Sequence, residues 1–442
     1  MSTTGLPPGT SGAAFSGRVL GPGDPEYDEA RAVFNGMVDR FPQLITQPAT
    51  ADDVAAAIRH GIDAGLEIAV RSGGHSRQGN STTEGGLVID LRRMNSVSID
   101  PVARLARVGG GATWSEVGRA AQEHGLATTG CRQDQAGVAG PTLSGGSGWL
   151  ERELGLACDS LVSIDLVTAD GQQLTASETE HPDLFWALHG GGGNFGVATA
   201  LTFRLHPIPA VATTTLLWPW AAYGEVVRTF RGIFDGAPPN ALGGAVVAMT
   251  DPPGTVVPAE LNGGLVTKVL AVHTGSPREL TELIAALLAL GPGFVQQAET
   301  APAAIRPSPN GPAGLRSFWR TEYLRSLPDQ AIDEYAGWMA QVPDQTVVRM
   351  AIAPWGGAVA AGADRWPAPF RQAPWVLAPI ARWASPARDD HILGWIGALH
   401  NLSGHERMVT GIDPANQARL SAAKSAYDPG NVFHLNQNIP PA

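Results

Sequence analysis

Cysteine is nearly absent. Cys131 and Cys158 are the only two in 442 residues, which excludes a disulfide framework, and neither belongs to the C-x-x-C pair used by zinc or thiol redox sites. Charge is sparse as well, and its balance is acidic: 30 Lys and Arg against 41 Asp and Glu give a formal net charge of −11. The excess is scattered along the chain, so no nucleic-acid surface is expected. No apolar run approaches the roughly eighteen residues of a membrane span. The first twenty residues, rich in Gly, Pro, Ser and Thr, lack the basic start and apolar core of a secretory signal. Nor does a G-x-G-x-x-G follow the first strand, which disfavours a nicotinamide-binding, doubly wound sheet. The expectation is a cytoplasmic chain whose partners are small molecules, with no metal and no membrane contact.

Glycine is what the chain has in abundance, 54 residues in all. The first block, Arg71-Ser72-Gly73-Gly74-His75-Ser76, follows the apolar run Leu66 to Val70. Two residues without Cβ let several backbone N–H groups approach one phosphate, so the loop suits a pyrophosphate. His75 then offers an imidazole nitrogen to the rest of the cofactor, where it could bond to an electrophilic ring such as a flavin. A second block runs from Ala136 to Leu150 and a third from Leu184 to Val197. Each glycine costs about 0.5–1 kcal/mol relative to alanine inside a helix or strand. Three such blocks interleaved with apolar runs therefore point to ligand contact more than to three slack loops.

With 43% hydrophobic residues, the chain can bury two ordinary cores. Hydrophobic spacing predicts helices over 28–41, 50–64, 113–124, 278–290 and 329–342. Strands are predicted over 44–46, 66–70, 87–91, 105–108, 161–167, 264–273 and 346–352. The alternation implies an α+β first domain with two small sheets. From about Ile208 the character changes, and nine of the twelve tryptophans lie between Trp218 and Trp395. Most should be core, and a few should wall a pocket for a planar ligand. The predicted division is 1–207 for cofactor binding, 208–419 for substrate, and 420–442 as a return to the cofactor domain.

The order of these blocks resembles the FAD-linked oxidases of the vanillyl-alcohol oxidase superfamily, and within it the bacterial berberine-bridge-enzyme-like group. The similarity runs from Leu44 to Pro207 and resumes from Tyr427 to Ile439. It implies a two-subdomain FAD-binding domain joined to a substrate domain with an antiparallel sheet covered by helices. It also implies FAD over Arg71, Ser72, Gly73, Gly74, His75, Ser76 and Gly79, bonded covalently through His75. Further cofactor contacts would come from Gly137, Val138, Gly140, Gly145, Gly146, Gly148 and Val197, with Asn436 and Asn438 closing the site. In some relatives a cysteine four residues before the glycine matching Gly137 makes a second flavin bond. Here that position is Gln133 and Cys131 lies six ahead, so a single bond is favoured over two; Cys158 is read as packing.

Many relatives carry a catalytic Tyr-x-Asn shortly before the terminal block, and this chain has no tyrosine there. The candidates for the base are therefore Tyr323, Glu322, His400 and His405. Val138 is small where a bulkier residue in similar proteins accompanies dehydrogenase behaviour. The functional expectation is an FAD-dependent oxidase of a hydrophobic, aromatic or polycyclic secondary metabolite, with oxygen as acceptor and peroxide as by-product. The alternatives are a flavin-dependent cyclase without net redox change and a sugar or alcohol dehydrogenase.

Overall fold

The computed structural model describes residues 15–133, 135–250, 261, 264–305, 313–402, 407–408 and 412–442, with only the backbone at 400 and 401. Its first sheet joins β1 (Arg18–Leu20), β2 (Leu44–Gln47), β3 (Ile68–Arg71) and β4 (Leu87–Asp90) in the order β1-β2-β4-β3. β4 pairs parallel with both neighbours and is buried at every residue, as a parallel strand covered on both faces must be. Helix α1 (Ala51–Asp63) covers this sheet with Val54 and Ile58. Its start is set locally: Thr50 accepts from the Asp53 amide at 3.2 Å while the Asp53 carboxylate receives the Thr50 amide.

A second, wholly antiparallel sheet contains β5 (Val97–Asp100), β6 (Leu105–Gly109), β7 (Leu161–Val167), β8 (Gln173–Ser177) and β9 (Val197–Arg204), ordered β5-β6-β9-β7-β8. Helix α2 (Trp114–Gln122), capped by Thr113 and Glu116, packs beside it through Trp114 and Val117. The third sheet is much larger. It contains β10 (Val211–Pro219), β11 (Leu242–Thr250), β12 (Leu265–His273), β13 (Phe294–Thr300), β14 (Arg316–Trp319), β15 (Glu322–Leu324), β16 (Val347–Pro354) and β17 (Trp375–Trp383). The order is β13-β10-β12-β11-β16-β17-β14, with β15 also on β17.

One face of this sheet carries Val246, Val269, Met350, Leu377 and Trp383. It packs on Phe230 of α3 (Tyr223–Asp235), Ile332 and Trp338 of α4 (Asp329–Met339), and Ile396 of α5 (Asp389–Leu402). Alternation then assigns the other face. Cross-strand register puts Lys268, Val247 and Ala351 in one row, Arg349 and Ile380 in the next, then Arg382 with Ser317, and Tyr323 opposite Val376. This second face turns toward the glycine loops. The α+β architecture, with two small sheets and a helix-covered antiparallel sheet, is the expected one.

Two helices differ from expectation. Over 28–41 only Tyr27–Arg31 is helical. Beyond it Asn35 bonds the Ser317 and Met37 amides and the Arg77 carbonyl, so long-range docking replaces the helix. The 278–290 stretch splits into Pro277–Leu283 and Ala285–Leu288, with Ile284 at φ −104°, ψ 15° between them. Finally, α6 (Pro414–Tyr427) leads into the C-terminal segment, and its fully buried Lys424 bonds Asp428 at 2.6 Å, the Asn194 carbonyl at 2.7 Å and the Phe433 carbonyl at 3.0 Å. The tail is thereby tied to the third glycine block.

Candidate functional site

The glycine blocks meet in space. A Cβ on Gly73 would lie 2.8 Å from Gly137 Cα, and one on Gly137 would lie 2.9 Å from Gly73 Cα. Only two bare backbones can approach so closely. Ser72 donates to the Gly110 carbonyl at 2.6 Å, and the Gly137 amide region pairs with Thr113 across an isolated bridge. The third block reaches the second through the Gly192 amide and the Leu143 carbonyl at 3.0 Å. Asn194 then holds the tail, donating to the Gln437 carbonyl at 3.1 Å and accepting from the Ile439 amide at 3.2 Å.

Within this junction several glycines face open space. A Cβ on Gly140 would meet nothing within 4 Å, and the nearest atoms to one on Gly74 or Gly192 are 3.8 Å away. Gly74, Gly145, Gly146 and Gly192 also have positive φ (71°, 115°, 85° and 69°), so their amides point where an ordinary residue could not aim them without strain. The Thr128 and Thr129 hydroxyls, in the segment packed on Gly148, are buried without a hydrogen-bond partner. A concave surface of backbone N–H groups and unspent hydroxyls fits a long, polyphosphate-bearing cofactor such as FAD.

The remaining expected contacts are distributed around it. Arg71 faces the interior, fully buried, bonded to the carbonyls of Ala30, Arg31 and Ser81 and 3.9 Å from Asp90, so it anchors the base of the loop. His75 is half-buried, its ring stacked on Phe34 at 4.4 Å between centroids and 17° between planes. Ser76 accepts from the Asn80 amide at 3.0 Å, and Gly79, at φ 77°, abuts Val38. Val138 is fully buried at the head of a single helical turn, Ala139–Leu143. Val197 is buried at the start of β9. Asn436 and Asn438 are exposed, and Asn436 Nδ2 lies beside Gly193.

Across from the loops stands an aromatic wall. Tyr323 stacks on Phe370 at 5.0 Å and 15° and lies 5.2 Å from Trp355. Phe370 reaches Gly145, whose Cβ would sit 3.2 Å from its ring. Arg77, two residues after His75, donates to the Trp319 carbonyl at 3.0 Å with its guanidinium 3.8 Å above the Trp319 ring. Arg77 is exposed and lines a cleft with Asn35, Asp39 and Phe318. Desolvation there pulls it down to about 10, while Tyr323 and Cys131 nearby act in the opposite sense. Burial pushes Cys131 up, with the Gln133 amide, Arg132 and Arg77 opposing. Burial likewise raises Tyr323 to about 12 against the pull of Arg77.

These values narrow the roles. A phenol at about 12 is ionised in roughly one molecule in 10⁵ at neutral pH, so the Tyr323 hydroxyl keeps its proton there. Glu322 is not beside it. It projects from the opposite face, is 4% exposed, and is paired with Arg320 at 2.5 Å and Arg407 at 3.9 Å. His400 lies in α5, where only the backbone is described, and His405 falls outside the described residues. Cys158 is fully buried, accepts from Arg371 at 3.1 Å, and is pushed up to about 12 chiefly by burial. Sequence reasoning missed Phe34, Arg77, Phe370 and the cations of the large sheet. Arg77 carried a signal, a charge two residues beyond the histidine of the first glycine block.

Among the described residues no cluster of His, Cys, Asp and Glu could hold a metal ion, and no helix is long and apolar enough to cross a membrane.

Comparison with known proteins agrees with this geometry. Residues 42–177 match the FAD binding domain family and residues 414–440 the berberine and berberine-like family. The chain is 30% identical over 465 residues to (R)-6-hydroxynicotine oxidase of Paenarthrobacter nicotinovorans, covering 97% of each protein. It is 29% identical to the FAD-linked oxidoreductase YgaK of Bacillus subtilis, again over 97% of each. The crystal structure of 6-hydroxy-D-nicotine oxidase from Arthrobacter nicotinovorans superposes with a TM-score of 0.85 at 26% identity, covering 98% of this chain and 99% of that one.

Proposed function

Because this chain belongs to the berberine-like family of FAD-linked oxidoreductases, we propose that it is an oxygen-dependent oxidase of a hydrophobic aromatic metabolite, with FAD tethered through His75. In this reading residues 1–207 and 420–442 bind the cofactor, and 208–419 cover the substrate. The observation that carries it is the wall of Tyr323, Phe370, Trp355 and Trp319 standing opposite the glycine cradle. Flat aromatic faces hold a planar ring by stacking, whereas an oligosaccharide needs many polar partners.

FAD, when bound, accepts the hydride equivalent from the substrate and passes two electrons to oxygen, so that an alcohol becomes a carbonyl and oxygen becomes hydrogen peroxide. The chain supplies position. Backbone amides of Gly73, Gly74, Gly137, Gly140, Gly145, Gly146 and Gly148 would hold the FAD, with Ser72, Ser76, Gly79, Val197, Asn436 and Asn438 completing its contacts. Phe34 holds the plane of the His75 ring for attachment. The Tyr323 hydroxyl orients the substrate oxygen, and Phe370 with Trp355 keeps water from its ring. Cys131 lies near Arg77, but with its thiol pushed up by burial it is a poor nucleophile, which favours a single tether.

Acid precipitation tests the tether. The protein pellet should stay yellow, the colour should be lost from His75→Ala, and Cys131→Ala should keep it. Oxygen uptake with stoichiometric peroxide from an aromatic alcohol tests the oxidation. Full activity without oxygen, using artificial acceptors alone, would make the enzyme a dehydrogenase, and a product of unchanged mass formed anaerobically would make it a cyclase.

A further inference from the structure

The site-facing surface of the large sheet is unusually positive for so acidic a chain. Lys268 on β12, Arg349 on β16 and Arg382 on β17 lie on one face, the face that carries Trp319 and Tyr323. Arg382 is 6% exposed. Its side chain makes no ion pair or hydrogen bond among the described residues, and its Nε is enclosed without an acceptor. Its contact is the Phe34 ring, 5.3 Å from Cζ to centroid, and Phe34 stacks on His75 in turn. One phenyl ring therefore separates this guanidinium from the expected flavin attachment point. Arg77 packs on Trp319 of the same face, and no carboxylate pairs with it among the described residues.

A buried guanidinium is costly unless something neutralises it or bonds to it. Among the described residues, Asp39 pairs with Arg31, Glu151 with Arg132, and Glu322 with Arg320. The cations also act on one another. Burial, and then the neighbouring Arg382, bring Arg349 down to about 10, and burial with Arg349 brings Lys268 to about 8. Between the charges the sheet presents small apolar residues, Ala351 and Ala378, which leave room for a flat ligand.

We propose that this face, with Arg382 at its centre and Arg77 opposite, binds an anionic group of the substrate, so that the enzyme takes an oxidisable aromatic compound bearing a carboxylate. The inference rests on the oxidase reading above. An arginine fork matches a carboxylate geometrically as well as electrically, and it would fix the ring between Tyr323 and the cradle in one orientation.

The test is calorimetric titration of the flavin-loaded protein with benzoate and with benzamide, its neutral counterpart. Benzoate should bind at least tenfold more tightly, and Arg382→Gln should weaken benzoate by about tenfold to a hundredfold while leaving benzamide unchanged. Arg382→Lys should restore part of the preference, and thermal melting of both variants reports whether they are folded. Equal affinity for the two ligands, or benzoate binding indifferent to Arg382, overturns the proposal, as does a variant that shifts the flavin potential without touching benzoate. These outcomes leave the oxidase reading intact. That reading fails separately, by absence of flavin or by absence of peroxide with every alcohol tried.

Discussion

Acid should loosen the third glycine block through one histidine. His189 immediately precedes Gly190, is 1% exposed, stacks on Trp366 at 3.7 Å and 11°, and donates from Nδ1 to the Phe185 carbonyl at 2.6 Å. Burial is the main cause that lowers it from 6.5 to about 4, with the Phe185 bond and Asp159 opposing. Between those values the unfolded chain binds a proton that the folded chain refuses. The contribution is therefore fully present above about pH 6.5 and is lost as the pH falls through the window toward about 4. At about pH 4.5 the loss is about 2–3 kcal/mol, a large fraction of the stability of an ordinary domain. Urea unfolding followed by tryptophan fluorescence at neutral pH and at about pH 4.5 measures it. His189→Asn keeps a donor for the Phe185 carbonyl but cannot titrate. Its stability should fall less between the two conditions, by about 2–3 kcal/mol. The same acid loss in both proteins would refute the assignment.

Three further outcomes follow from the same geometry. Gly137→Ala forces a Cβ into the Gly73 backbone and should cost about 1–3 kcal/mol as overpacking, with reduced flavin content; full flavin occupancy and an unchanged melting curve would contradict it. Lys424→Met leaves the Asp428 carboxylate buried without its cation and should cost about 3–5 kcal/mol, freeing the C-terminal segment to proteolysis; a tail as resistant as before would tell against its anchoring role. Since burial holds the Tyr323 phenol at about 12, Tyr323→Phe should lower turnover without moving the pH profile between about 6 and 9. A neutral-range limb that disappears in this variant would restore Tyr323 as a base.

Both the reach and the limit of sequence reasoning show at the site. Tyr323 and Glu322 are both candidate bases in the sequence, yet period-two alternation on a three-residue strand sends them to opposite faces. Only the pairing with β17 says which face looks at the cradle. His75 was legible because its neighbours in sequence are its neighbours in space.

What the chain determined by itself was local. Thr50 with Asp53 and Thr113 with Glu116 start their helices through bonds spanning three residues, and the glycine blocks announce close backbone approach because no other residue permits it. Tertiary structure decided whatever depends on distant partners. Asn35 leaves its expected helix to bond Ser317, 282 positions away. Lys268, Arg349 and Arg382 stand far apart in sequence on three strands, and they share one face of the sheet only when strand order and register align them. Hydrogen bonds within a turn are fixed by the residues that make them, whereas register between strands is settled by the whole core at once.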